Sequence, residues 1–264
     1  MASAATFIER LAWLLVAVAT IPGCGTSPPV VTDPRPAETV PPPVAPAPSW
    51  NAIGVSVEHR PLLVAETGSG PLRIYVIGGV HGDEIEGRSA LESLKNEPSA
   101  KATIRILRDL NPDGTAARQR PNARGHDLNR NWPARNFNPQ SSGGPAPLSE
   151  PETRALDRDL RAFKPDVIVV LHSISFGPLV NYDGPAEKLA MAFVGAARTV
   201  SPGWHVRADM GYEAPGSLGS YLGVDQQKPI LTVELRRGQD EAAAAAGLRK
   251  GLAAVILAAD VPSR

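Results

Sequence analysis

Two histidines and two glutamates stand at the ends of apolar segments that otherwise have the composition of buried strands. His81 and Glu84 directly follow one such segment, and His172 ends another. Two histidines and a carboxylate, with one pair close in sequence and the third residue distant, form a common catalytic zinc set that leaves a fourth position for water. These three residues therefore predict a site for one Zn²⁺ ion.

A zinc hydrolase also needs a base that is not a metal ligand. Zinc lowers the pKa of its bound water from 15.7 to about 7, and a nearby group must take the proton. Glu234 is the candidate, because a carboxylate within "ILTVEL" is costly to bury unless it is paired or catalytic. On the residues alone, simpler roles stay open: a helix cap and a surface charge for His81 and Glu84, and a hydrogen-bonded core position for His172.

Short apolar runs and helix-like segments alternate along the chain. Strands are predicted at 60–67, 72–80, 103–110, 165–173 and 229–236, and helices at 83–97, 148–163, 185–200 and 240–259. This alternation predicts an α/β fold with a mixed, largely parallel sheet and helices on both faces. Because ligands bind outside the carboxyl ends of strands in such sheets, His81, His172 and Glu234 are expected to converge on one cleft.

Two local features qualify this pattern. Ser149 and Glu152 have the spacing of a capping box at the start of the second predicted helix. The stretch 111–148 has no periodic segment, and a connection of this length in a compact domain is normally functional or disordered. Its Arg, Asn and Asp residues favour a functional role.

Composition limits the classes of partner. The 264 residues contain 27 Lys and Arg and 27 Asp and Glu, so no net field favours nucleic acid, and we expect no nucleic-acid partner. Cys24 is the only cysteine, which excludes disulfides within the chain. The hydrophobic content of 42% is sufficient for a sizeable core.

The amino-terminal segment "FIERLAWLLVAVATIPGC" resembles a bacterial lipoprotein signal peptide. Residues 1–23 are predicted to be removed and Cys24 to carry lipid, with an ordinary secretory signal as the alternative. Residues 24–49 are Pro-rich and predict a semi-rigid linker, followed by a peptidase domain at 50–264. The expected location is the cell envelope, on a membrane anchor that faces the periplasm.

Seven motifs occur in an order that resembles the zinc carboxypeptidases, and within them the bacterial murein peptide amidase branch. They are "GGVHGDE", "NPDG", "RPNARGHDLNRNWP", "LSEPET", "LHS", "GYEAPGSLGSYLG" and "TVEL". The resemblance implies the following roles: zinc ligands His81, Glu84 and His172, general base Glu234, carbonyl-polarising Arg120, substrate-carboxylate ligands Asn129 and Arg130, orienting acid Asp127, and mobile Tyr212 over the substrate.

Some positions depart from the family pattern. Glu234 is followed by Leu235, Arg236 and Arg237, where the amidase branch tends to have proline. His126 replaces a frequent valine and is interpreted as an exposed loop residue, with a contact to substrate as the alternative. Leu218 matches a specificity position and is apolar, so that position favours neither a basic nor an acidic terminal residue.

The resemblance implies hydrolysis of an amide bond next to a free carboxylate in a small peptide, by Glu-assisted attack of zinc-bound water. The expected substrate is a murein peptide with a γ-D-glutamyl-diaminopimelate bond. Two alternatives stay open: an N-acyl amino acid deacylase of the aspartoacylase and succinylglutamate desuccinylase type, and a lipoprotein that binds cell-wall peptides without cleaving them.

Overall fold

The computed structural model describes residues 48–260. The predicted signal peptide, Cys24 and nearly all of the predicted linker lie outside this range. Within residues 48–260, no helix is both long enough and apolar enough to cross a bilayer.

Residues 48–260 form eight strands and five α-helices. The strands are β1 (Asn51–Val55), β2 (Pro61–Gly68), β3 (Leu72–Ile77), β4 (Ala102–Leu107), β5 (Val167–Ile174), β6 (Leu179–Asp183), β7 (His205–Val206) and β8 (Ile230–Arg236). The helices are α1 (Arg88–Leu94), α2 (Pro112–Ala117), α3 (Pro151–Phe163), α4 (Glu187–Ala197) and α5 (Glu241–Ala258). A 3-10 turn at Leu128–Arg130 and a π-helical turn at Gly219–Val224 complete the set.

The strands form one sheet in the order β1-β2-β4-β3-β5-β8-β6-β7. The four central strands β4, β3, β5 and β8 are parallel, whereas β1, β2 and β6 join through antiparallel pairs. The predicted mixed, largely parallel sheet is thus confirmed. Since the carboxyl ends of β3, β5 and β8 lie at one edge, the loops that follow them meet there.

Alternating side chains of the central strands build two cores. On β3, Ile74 and Val76 pack in the core that contains α1, α4 and α5, while Tyr75 and Ile77 pack on the side of α3. Both faces of the parallel strands are therefore covered by apolar groups, as buried parallel strands require. Helices on both faces are confirmed.

The predicted helix at 83–97 begins late and the predicted capping box is wrong. Gly87 has φ of 113°, a conformation that favours glycine, and only from Arg88 does the chain become helical. Ser149 donates to the Glu150 carboxylate at 2.8 Å rather than capping α3, which starts at Pro151 after Glu150. Strands β1, β6 and β7 were not predicted from the sequence.

The contact between α4 and α5 leaves no room for one methyl group. A Cβ on Gly251 of α5 would lie 2.5 Å from three ring atoms of Phe193, which is fully buried. A Cβ on Gly195 of α4 would meet no atom within 4 Å. The same Gly→Ala change should therefore have opposite effects at the two positions.

We expect Gly251→Ala to destabilise the protein by about 1–3 kcal/mol, because the ring or the helix must move. Gly195→Ala, the matched control, should stabilise it by about 0.5–1 kcal/mol through the better helix propensity of alanine. Urea denaturation of both variants measures these differences. Equal effects of the two changes would contradict the proposed packing.

Candidate metal centre and substrate cleft

The loop after β3 carries His81 and Glu84 to the sheet edge by crossing close to another loop. A side chain on Gly82 would clash with the backbone of Gly114, so only glycine permits this approach. The Gly82 amide donates to the Arg120 carbonyl oxygen at 3.4 Å. The "GGVHGDE" and "RPNARGHDLNRNWP" motifs are thereby fixed against each other.

His81, Glu84 and His172 converge through specific atoms. The Nδ1 atoms of the two histidines are 3.1 Å apart. Glu84 Oε1 lies 2.9 Å from His81 Nδ1, and Glu84 Oε2 lies 2.9 Å from His172 Nδ1. All three side chains are buried.

This arrangement fits a metal ion. The candidate ligand atoms of the three residues lie within 4.8 Å of one another. Two imidazole nitrogens and one carboxylate oxygen are a donor set that suits Zn²⁺. The structure therefore brings the three predicted ligands together at a site that could hold zinc.

Asp127 orients the first of these histidines. Its Oδ1 lies 3.0 Å from His81 Nε2 and accepts from the Asn129 amide at 2.8 Å, while Oδ2 accepts from Arg120 Nε at 3.1 Å. A hydrogen bond at one ring nitrogen directs the other toward the metal position. Asp127 thus occupies the position that its predicted role requires.

The acids at the site differ in their pKa values. Burial raises the pKa of Glu84, but the charge of His172 and hydrogen bonds to both histidines outweigh it, so the pKa is lowered strongly. Burial also raises the pKa of Asp127, but the hydrogen bond to His81 and the charge of His81 outweigh this effect, so the pKa of Asp127 is lowered. At Glu234 burial dominates, and the pKa is raised.

Glu234 lies directly beside the candidate ligands. It is the register partner of His172 across β5 and β8, and it lines the same cleft. Its side chain points away from the core that contains Val233 and Leu235. A buried carboxylate with a raised pKa at this place can accept a proton.

The "NPDG" motif positions Arg120. The Asn111 side chain accepts from the Gly114 amide at 2.9 Å and donates to the Arg120 carbonyl oxygen at 3.1 Å. The Arg120 guanidinium contacts Glu84 Oε1 at 3.1 Å and is partly exposed in the cleft. A cation is thus held beside the candidate metal position.

Asn129 and Arg130 line the cleft on the side of α3. Asn129 Oδ1 accepts from the Leu218 amide at 3.1 Å, and Arg130 Nη1 donates to the Asn129 carbonyl oxygen at 2.8 Å. Leu218 is buried and lines the cleft as well. Tyr212 lines the cleft and is 55% exposed, and burial together with the charge of Glu234 raises its pKa.

The contacts of His126 show its role in the structure. His126 lies outside the cleft, and its Nδ1 is 2.8 Å from the buried carboxylate of Glu150. It therefore stabilises the loop, and its partner shows that it is not simply an exposed loop residue.

The cleft, of about 520 Å³, contains residues that the sequence did not indicate. Asp183 at the end of β6 is held against Gly219 and Gly223, where side chains would clash with it, and burial raises its pKa. Asn181 and Thr232 lie between it and Glu234, and Arg237 lines the rim. Asp183 was missed because β6 follows "FGP" and mixes polar with apolar residues, so no strand was predicted there.

Comparison with known proteins agrees with this geometry. Residues 49–241 match the family model for zinc carboxypeptidases. Murein peptide amidase A of Escherichia coli K12 is 30% identical over 181 residues, which cover 60% of this chain and 69% of that protein. Carboxypeptidase SOL1 of Arabidopsis thaliana is 33% identical over 156 residues, which cover 52% of this chain and only 31% of that protein.

Solved structures show the same fold. The murein-tripeptide amidase of Escherichia coli O157 superimposes with a TM-score of 0.63 at 26% identity, covering 82% of this chain and 94% of the other. Carboxypeptidase A of Helicoverpa armigera has a TM-score of 0.66 at 17% identity, with 81% and 69% covered.

The chain belongs to the zinc carboxypeptidase family, because the family match spans more than half of its length. It is a hydrolase whose cofactor is zinc. The fold, enzyme class and cofactor predicted from the sequence are confirmed.

The hydrogen bond between Asp127 and His81 gives a testable expectation. Asp127→Asn should weaken zinc binding about 10–100-fold, because the asparagine side chain no longer holds His81 as a charged acceptor does. Competition with a chelator measures the affinity. The matched control is Asp183→Asn, a change in the cleft away from the ligands, which should leave the zinc affinity unchanged. An unaltered zinc affinity in Asp127→Asn would refute the orienting role of Asp127.

Proposed function

We propose that the protein removes the carboxyl-terminal residue of a small murein peptide by hydrolysing a γ-D-glutamyl-diaminopimelate bond. One observation carries the proposal: the candidate zinc ligands, the base Glu234 and the Asn129–Arg130 pair line a single cleft. The similarity to murein peptide amidases supports the choice of substrate.

The terminal carboxylate is proposed to bind Arg130 and Asn129. A guanidinium holds a carboxylate bidentately, and an amide adds a further donor. Both residues are fixed from behind, Asn129 by the Leu218 amide and Arg130 through the Asn129 carbonyl. A substrate fixed by its free end presents its last amide bond to the metal site.

The position of Asp183 favours a substrate whose carboxyl-terminal residue carries an amino group at the end of a long side chain. In the β6–β8 pairing it lies opposite Ile230, four residues before Glu234, and this spacing corresponds to roughly 13 Å along the strands. A half-buried carboxylate that lines the cleft favours a cationic ligand. Diaminopimelate carries an amino group, beside its second carboxylate, at the far end of a long side chain, whereas N-acetyl-aspartate has only a carboxylate on its side chain, which Asp183 would repel.

The reaction divides among a few groups. His81, Glu84 and His172 would hold the zinc ion, which would supply a Lewis acid for the scissile carbonyl and make water at the site more acidic. Glu234 takes the proton from the attacking water and delivers it to the leaving nitrogen. Arg120 donates to the carbonyl oxygen as negative charge develops there.

The function is tested by incubating the zinc-loaded protein with defined murein peptides and with N-acetyl-aspartate, followed by mass spectrometry. Release of diaminopimelate is expected. Exclusive cleavage of N-acetyl-aspartate would support the deacylase, and zinc uptake with peptide binding but no product would support the binding lipoprotein. Attachment at Cys24 and location in the cell envelope stay predictions from the sequence.

Glu234→Gln should lower kcat about 10²–10⁴-fold, because the amide cannot accept the proton, while the zinc content stays at the wild-type level. Steady-state kinetics and metal analysis measure the two quantities. The control is Glu213→Gln, an exposed position outside the cleft. Turnover by Glu234→Gln at the rate of the control would show that the base is another group.

Asp183→Asn should lower kcat/KM about tenfold for γ-D-glutamyl-lysine, because the ammonium loses a charged partner. The value for γ-D-glutamyl-norleucine, which lacks the amino group, should stay within about twofold of wild type. The pair of substrates separates recognition from general damage. A similar loss on both substrates would argue against cation binding at Asp183.

A further inference from the structure

Arg237 is a third guanidinium in the lining of the cleft, besides Arg120 and Arg130. It follows β8 at a position where the sequence departs from the amidase pattern. Its Nη2 lies 3.2 Å from Asp83 Oδ2 and 3.6 Å from Glu84 Oε1, and its side chain is 43% exposed. None of the roles derived above uses this guanidinium.

Arg237 and the Asn129–Arg130 pair line the same cleft but adjoin different cores of the sheet. Its partner Asp83 belongs to the loop that leads into α1, and the neighbouring Gly238 amide donates to Glu86 of that loop at 2.9 Å. This rim is on the side of the core that contains α1 and Leu235. The Asn129–Arg130 pair, by contrast, adjoins Leu128 and Leu218 of the opposite core.

We expect the two parts of the cleft, one at Arg237 and one at the Asn129–Arg130 pair, to bind opposite ends of a substrate. When the terminal carboxylate is on Arg130, the scissile carbonyl lies at the metal site. We expect the acyl part to continue toward the loop with Asp83, where Arg237 lines the cleft. This guanidinium therefore faces the part of the substrate that precedes the scissile bond.

The guanidinium has capacity for a further ligand. It carries five N–H donors in a planar fork, and within residues 48–260 both contacts use Nη2. Asp83 holds it in place, while an ion pair this exposed contributes little stability by itself. A substrate carboxylate can thus bind donors on Nε and Nη1.

We propose that Arg237 binds a free carboxylate on the acyl side of the scissile bond, and that it thereby favours glutamyl substrates that keep this group. In a γ-D-glutamyl residue the group is the α-carboxylate, because the γ-carboxyl forms the scissile amide. The inference rests on the proposed function and adds a specificity residue to it.

The test compares two substrates that differ only in the glutamyl α-carboxylate: γ-D-glutamyl-diaminopimelate, and the same peptide with a carboxamide in place of that group. Zinc-loaded wild type should prefer the free acid about tenfold in kcat/KM, mainly through KM. Arg237→Ala should lose this preference by lowering kcat/KM for the acid only. Arg237→Lys should retain part of it, and Arg236→Ala, an exposed neighbour outside the cleft, should retain all of it.

Inhibition by the acyl product gives a readout of binding without turnover. The dipeptide alanyl-D-glutamate should inhibit the wild-type enzyme about tenfold more strongly than its glutamyl α-amide does. The Arg237→Ala variant should be inhibited equally by the two compounds. Equal loss on both substrates would assign Arg237 a structural role through Glu84 and overturn the inference, with the proposed function intact. If wild type cleaves neither peptide, the proposed function fails and the inference fails with it.

Discussion

A carboxylate buried between two imidazoles is the constraint on which the site depends. Removing Glu84 from water is unfavourable unless positive charge surrounds it. His81, His172 and Arg120 provide partners, and the acceptors of Asp127 in turn fix His81 and Arg120. The members of this cluster come from the loop after β3, the long segment after α2 and strand β5, which the parallel sheet brings to one edge.

Buried polar side chains replace regular structure in the long segment between α2 and α3. Asn131 donates to the carbonyl oxygens of Gly143 and Ala146 at 2.6 and 3.0 Å, and it accepts from Thr153 at 2.6 Å. Asn122 donates to the buried Glu150 at 2.8 Å. Because buried backbone groups must find partners, these contacts take the place of a ladder and give Asn129 and Arg130 a rigid base.

The sequence was informative where a residue type had a single physical explanation. Long apolar runs predicted the central strands, and His81, His172 and Glu234 at their ends predicted the cleft. β6 was hidden because pairing with β8, rather than its own composition, makes it a strand. Asp183 therefore had no predictable position, since strand register alone carries it into the cleft.

Charge in this chain is informative only at short range. The 27 acidic and 27 basic residues cancel overall, and charges farther apart than about 8–10 Å are screened at the surface. Within the cleft, however, Arg237, Arg130 and Asp183 are three separate charged groups of the lining. In the proposed binding mode these groups pair with the glutamyl α-carboxylate, the terminal carboxylate and the distal amino group of a γ-D-glutamyl-diaminopimelate substrate, respectively. Selection by such an arrangement needs no net field, because each charge is recognised by a partner at a fixed position along the substrate.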